Sequence, residues 1–247
     1  MRTILAAVLA LGLGVEPAPY LDASNTPDGL RILPPPPKAG SAADVADKRI
    51  FAETRALQGS PRWRLATSDV DTEAFDTFAC AMGMRLTKKA APALARVLDR
   101  AGTGGLVDPV KSRYAVRRPY LGGEAPICQA RTEHLASNGD YPSGHTAGGW
   151  MEALILAELL PDRATELLAR GRAFGESRAV CGAHSASAVQ AGFMAGASVV
   201  AALHGLAEFR ADMDAARAEL AALRTNAPTP EPGRCRMEAE ALAAAPY

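Results

Sequence analysis

Three short polar signatures stand in a fixed order between Lys111 and His184. Six residues separate Lys111 from Arg118-Pro119; Pro142-Ser143-Gly144-His145 follows, and five residues then separate Ser177-Arg178 from His184. Together they offer three cations, two imidazoles and a hydroxyl beside a glycine. Those are the parts needed to move a phosphoryl group without a metal. Phosphoryl transfer spreads negative charge over three equatorial oxygens, and its catalysis is largely positioning plus electrostatic stabilisation. A guanidinium fork such as Arg118 or Arg178 can hold two oxygens at once, while Lys111 acts as a point charge. Pro-Ser-Gly is a turn leading into an apolar run, so Ser143 and Gly144 fall at a helix N-terminus, where outward amides favour anions. The Ser143 hydroxyl adds a donor. His145 beside it is placed to protonate a leaving alkoxide, and a neutral His184 is a competent nucleophile toward phosphorus. Taken singly, each signature also reads as ordinary structure: a basic surface loop around Arg113, Arg117 and Arg118, an N-cap at Ser143, a helix-capping His184. The remaining histidines carry less, His134 lying in a polar loop and His204 on an apolar helix where a core role is expected.

The elements that must position these residues read as helices. Ser41 with Asp44 makes a capping-box-like start for a helix to Leu57, which Gly59-Ser60-Pro61 breaks. A second helical stretch is expected over Arg62–Met82 and a third from Thr87, with Pro92 in its early turns and Gly102 past its end. The Gly- and Pro-rich span 102–141 reads as loop and carries the first signature. His145–Leu160 is strongly apolar and helical, and Arg163–Phe174 follows. Gly175 and Gly182 are expected to break the chain around Arg178, so that it meets His184 from a loop. Long helices over His184–Ala207 and Glu208–Arg224 close the fold. Period-two alternation is rare, so the chain is assigned as all-α, a single-domain helical bundle.

The bulk properties agree. A chain of 247 residues can bury one substantial core, and 5% aromatics among many alanines favours helices packed through small side chains. Lys plus Arg equals Asp plus Glu at 27 each, so no global field attracts nucleic acid, and anion attraction must be local. Arg2 followed by the apolar run Ile4–Val15 reads as a signal peptide covering about residues 1–18, too short to span a bilayer comfortably. Residues 19–40 form a Pro-rich extended leader, and 41–247 the domain, with a tail from about 225. The later apolar run Phe193–Leu206 is interrupted by Ser198 and His204 and reads as a core helix. Cys80, Cys128, Cys181 and Cys235 fit an exported protein with two disulfides. Three connectivities are open; that Cys128 and Cys181 both flank the candidate site favours joining them, and Cys80 with Cys235.

With these signatures the chain resembles the bacterial non-specific acid phosphatases of class A, in the type 2 phosphatidic acid phosphatase (PAP2) superfamily shared with vanadium haloperoxidases. The family pattern is similar to K-x6-RP, then PSGH, then SR-x5-H-x3-D, and the likeness extends from about Ser41 to Arg224. It implies an all-helical, metal-free and cofactor-free phosphomonoesterase with broad specificity for small phosphomonoesters. The expected setting is periplasmic or secreted, with no nucleic-acid partner, no membrane insertion once the signal is removed, and a homodimer as the family assembly. By the same likeness His184 would form a phosphohistidine. Lys111, Arg118, Ser143, Gly144 and Arg178 would hold the phosphoryl oxygens, and His145 would act as general acid and then base. A membrane lipid phosphatase would need several spanning helices, and haloperoxidases are generally longer.

Two positions depart. Ala188 stands where the family Asp would hold the nucleophilic histidine, and Ser185 replaces the bulky aromatic often found after it. Loss of the analogous carboxylate from a Ser-His-Asp triad costs about 10⁴ in rate. Ser187, Glu176 or Asp140 are the candidate substitutes. The alternative function is a phosphate-binding protein on the same scaffold with its chemistry impaired.

Overall fold

The computed structural model describes residues 18–243 and 245–247, so the expected signal peptide, all but its last residue, lies outside the described residues. Helix accounts for 62% of the described residues, and no strand occurs among them. The longer helices are α1 (Ala42–Arg55), α2 (Pro61–Ser68), α3 (Pro92–Arg100), α4 (Gly104–Tyr114), α5 (Gly144–Leu159), α6 (Ala164–Cys181), α7 (Ala186–Leu203), α8 (Ala207–Leu223) and α9 (Pro232–Leu242). Single helical turns cover Gly29–Ile32, Ala74–Thr77, Ala79–Met82 and Glu133–Ser137.

Helix α5 is the axis, packed between α6 and α7, with α8 set against α3 and α1 and α2 laid on α6. Its start is written locally: Ser143 is the N-cap, with its hydroxyl oxygen accepting from the Thr146 amide. Ser185 caps α7 in the same way, through the Ala188 amide. Apolar residues run around much of α5 and α7, which suits helices covered by neighbours on several sides. Gly192 lets α7 press against the turn ahead of α5, because a Cβ there would lie 2.7 Å from the Ser143 carbonyl oxygen.

Several expectations are corrected. The stretch 62–82 is not one helix: α2 stops at Ser68, and Asp69 turns its carboxylate into a buried ion pair with Arg170 at 2.5 Å. The third helix begins at Pro92, after a turn from Thr87. The span 102–141 holds a helix, α4, because Leu106, Val107 and Val110 give it a buried face despite its glycines and Pro109. Tertiary packing thus overrides a weak local preference. Gly175 does not break α6, which runs unbroken to Cys181 and carries Arg178. The last long apolar helix begins at Ala186, after His184, and ends at Leu203.

By length and composition α7 alone among the described helices could cross a membrane; half of it is buried in this fold. His204 pairs with Glu158 at 2.8 Å, half-exposed at the surface rather than in the core. The leader is tied down, with Tyr20 and Leu33 buried and the Pro34 carbonyl accepting from the Tyr141 hydroxyl. The segment beyond residue 225 is more than a tail. It forms α9, packed on α2 and bonded through Cys235 to Cys80.

Gly192→Ala should lower the melting midpoint by several degrees, since overpacking costs about 1–3 kcal/mol. Thermal unfolding checks this; an unchanged midpoint would mean that α7 has slack against the Ser143 turn.

Candidate active site

Arg178 stands near the C-terminal end of α6, 1% exposed, and a set of contacts fixes that end. Its neighbour Ser177 donates to Asp69 Oδ2 at 2.6 Å and accepts from Arg62 Nη1 at 2.8 Å, so this hydroxyl is spent on the scaffold. Arg55 reaches across to cap the helix, donating to the Val180 carbonyl at 2.6 Å and the Cys181 carbonyl at 3.2 Å. Such cations suit the negative end of a helix. Gly182 takes a left-handed φ of +79° to turn the chain, and a Cβ there would meet Arg55. The Cys128–Cys181 disulfide then ties the loop that carries Gln129 to this point. Gln129 Oε1 accepts from Arg178 Nη2 at 2.5 Å, while Arg178 Nε and Nη1 have no hydrogen-bond partner though buried. Unpaired N–H groups on a buried cation are costly unless an anion meets them.

His184 follows the turn. It is 4% exposed, and its ring is held from both sides. Arg118 Nη1 lies 2.9 Å from Nε2; because a guanidinium only donates, Nε2 is the acceptor and the ring proton is on Nδ1. That proton faces the Asp140 carbonyl at 2.7 Å and Asp140 Oδ1 at 3.1 Å. Arg118 is itself anchored by donation from Nε to the Asn138 carbonyl at 2.7 Å and from Nη1 to the Ala183 carbonyl at 2.8 Å. Ala115, at φ +45°, ends α4 and turns the chain toward it. Lys111 comes from α4 and donates to the Gly139 carbonyl at 2.5 Å.

His145 occupies the first turn of α5. Its Nε2 donates to the Val70 carbonyl at 3.0 Å, which leaves Nδ1 for chemistry, and the ring stacks near Phe174. The Ser143 hydroxyl is buried and accepts from the Thr146 hydroxyl at 2.9 Å, so its own proton is left to donate. Its amide donates to the Ala188 carbonyl at 2.9 Å. Gly144 and His145, as first-turn residues, have amides without an intrahelical acceptor.

All of this surrounds one cleft with two lobes that share Arg118, Asn138, His145 and His184. The larger lobe, about 430 Å³, reaches Arg178 and the mouth residues Val70, Asp71 and Leu135. The smaller, about 260 Å³, reaches Lys111 and Gly144. Burial and the repulsion of Arg118 push the Lys111 pKa down to about 8. Burial, then Arg118, lowers Arg178 to about 10. Loss of water pushes His184 down to about 3 against the pull of Asp140. His145 opens onto the cleft, yet the protein packed around its ring and the nearby Arg178 push it down to about 4. The groups that line the cleft can therefore hold an anion around an uncharged imidazole. Among the described residues no three His, Cys, Asp or Glu side chains cluster as metal ligands would.

Six of the seven sequence-derived candidates thus border the cleft, and Ser143 sits just beneath it. Sequence reasoning missed Gln129 and the Val70 carbonyl. The position of Gln129 beside Cys128 was a usable signal once that cysteine was paired with Cys181; a backbone carbonyl leaves none.

Comparison with known proteins identifies the family. A family model described as the PAP2 superfamily matches residues 94–211. The chain is 42% identical to an acid phosphatase of Zymomonas mobilis, covering 98% of this chain and 96% of that protein. It is 35% identical to a non-specific acid phosphatase of Providencia stuartii over 83% of this chain and 86% of the other. It is 37% identical to one of Salmonella typhimurium over 76% and 78%. The chain belongs to the PAP2 superfamily, on the branch of the bacterial non-specific acid phosphatases.

Proposed function

We propose that this protein is an exported acid phosphatase that hydrolyses small phosphomonoesters through a phosphohistidine at His184. The observation that carries the reading is the buried Arg178 guanidinium, with two unpaired N–H groups, in one cleft with His184 and His145. The phosphoryl oxygens would be held by Lys111, Arg118, Arg178, the Ser143 hydroxyl and the Gly144 amide. Arg118 would turn its Nη1 proton from His184 to a phosphoryl oxygen, which frees the Nε2 lone pair. That lone pair forms the N–P bond as the P–O bond to the leaving group breaks, and His145 gives the leaving oxygen a proton. His145 then takes a proton from water, which attacks phosphorus and releases His184 and phosphate.

The two imidazoles set the pH range. His184 attacks only when uncharged, a condition met above about pH 3. His145 must carry a proton to act as an acid, and with its pKa near 4 that form is lost as pH rises, later when a bound phosphoryl dianion lies beside it. Activity is therefore confined to the acid side. Export is supported by the two disulfides, Cys80–Cys235 and Cys128–Cys181, which need an oxidising compartment. A homodimer is the assembly the family resemblance implies. The alternative of an impaired phosphate-binding protein rested on Ala188 alone, and the contact of His184 with Asp140 removes much of its basis.

His184→Ala should abolish phosphate release from p-nitrophenyl phosphate while the protein stays folded; retained turnover would refute the assignment. His145→Ala should lose about 10²–10⁴ in kcat with an alkyl phosphate, whose leaving oxygen needs the proton, and far less with p-nitrophenyl phosphate. Equal losses on both would remove His145 from the acid role. KM should rise as pH passes about 8 and Lys111 loses its charge. Lys111→Met should show no such limb in a KM–pH profile.

A further inference from the structure

Of the three substitutes that the sequence offers for the absent carboxylate, two are otherwise engaged. Glu176 pairs with Arg172 at 2.9 Å. Ser187 gives its amide to Asp47 at 2.9 Å and makes no hydrogen bond to the His184 ring. Asp140 remains, and it comes from another segment, just ahead of the Ser143 turn.

We propose that Asp140 is the positioning carboxylate of His184, standing in for the aspartate that the family pattern places at position 188. The proposal rests on the reading of His184 as nucleophile. Asp140 is 2% exposed and fixed at its own backbone by donation of its amide to the Val116 carbonyl at 2.8 Å. Its Oδ1 accepts from His184 Nδ1 at 3.1 Å and from the Ser185 amide at 3.1 Å; its Oδ2 accepts from the Ser185 hydroxyl at 2.6 Å. A group that accepts three hydrogen bonds and donates none is serving as an anion.

The two departures from the family pattern, Ser185 and Ala188, then form one unit with Asp140. Ser185, in place of an aromatic, supplies two of the bonds that aim the Asp140 carboxylate, which an aromatic side chain could do only through its amide. Ala188 is fully buried within the apolar core cluster, and its carbonyl takes the Ser143 amide, so position 188 serves packing against the turn.

Asp140 also divides two tasks that one triad carboxylate combines. Its backbone carbonyl, 2.7 Å from Nδ1, fixes the tautomer, while its side chain offsets the positive charge that grows on the ring as the N–P bond forms. Removal of the charge alone should therefore cost less than the ~10⁴ seen when a triad loses both.

The test measures kcat, KM and inhibition by vanadate on the full mature chain with Asp140→Asn, Ser185→Ala, Ala188→Asp and His184→Ala. Asp140→Asn should lower kcat by about 10²–10³. Its KM and vanadate inhibition constant should be unchanged or tighter, because a negative charge has left the neighbourhood of the anion. A merely structural role would weaken vanadate along with turnover. Ser185→Ala loses the hydroxyl's bond to Asp140 together with the α7 cap, and should lower kcat about 3–10-fold; it keeps the question open to test should Asp140→Asn fold poorly. Ala188→Asp should bring no gain. Wild-type turnover in Asp140→Asn, or in Ser185→Ala when the first variant is unfolded, overturns the assignment, as does a large gain in Ala188→Asp. Turnover in His184→Ala would instead overturn the underlying functional reading.

Discussion

A guanidinium held out of water with only one of its faces paired is the constraint on which the rest of this structure depends. Arg178 is 1% exposed and has two unpartnered N–H groups. Burial of such a charge costs several kcal/mol unless it is met by partners. The surrounding residues do not neutralise it: the nearest firm contact is an uncharged amide, Gln129. Arg118 and Lys111 add further positive charge to the same cleft. Asp140 acts on Arg118 and Lys111, and Asp69 and Asp71 act on Arg178, but among the described residues none of these cations is locked in an ion pair, so their field remains available to an incoming anion.

Holding cations together requires a rigid frame, and the frame is mostly α6. Arg62, Ser177, Asp69, Arg170 and Glu238 make a buried network along it that brings in α2 and α9. The two disulfides fasten its surroundings: Cys128–Cys181 holds the Gln129 loop, and Cys80–Cys235 holds α9, which carries Glu238. Helix α5 brings the amides of Gly144 and His145 to the same place, and α7 starts just after His184. Four separate segments therefore converge on one cleft. Catalysis by positioning needs that kind of support, because a misplacement of about 1 Å can cost 10²-fold.

In the mechanism proposed above, environment would divide one residue type, histidine, between two tasks. Both are pushed below their ordinary pKa, yet for His184 this favours function and for His145 it restricts it. An uncharged His184 is what a nucleophile must be. His145 has to regain a proton, which the substrate's own charge assists. The acid pH range proposed above would follow from that opposition.

Ser143, Gly144 and His145 were legible from the chain because a cap, a first turn and an apolar helix are contiguous features, decided within a few residues. The charge of Arg118, Arg178 and Lys111, and so their availability to an anion, was legible from residue type and order. Their carriers were not. Helix α4 lay hidden behind glycines and Pro109, and Gly175 read as a break although α6 passes through it, because in both cases long-range burial outweighs local propensity. The partner of His184 could not be chosen from sequence either. Position 188 looked like a gap, and only the folded chain brings Asp140, 44 residues earlier, within 3.1 Å of the ring. Sequence determines which groups are available and which lie on a common helix face; contacts between segments distant in the chain depend on packing that no local pattern encodes.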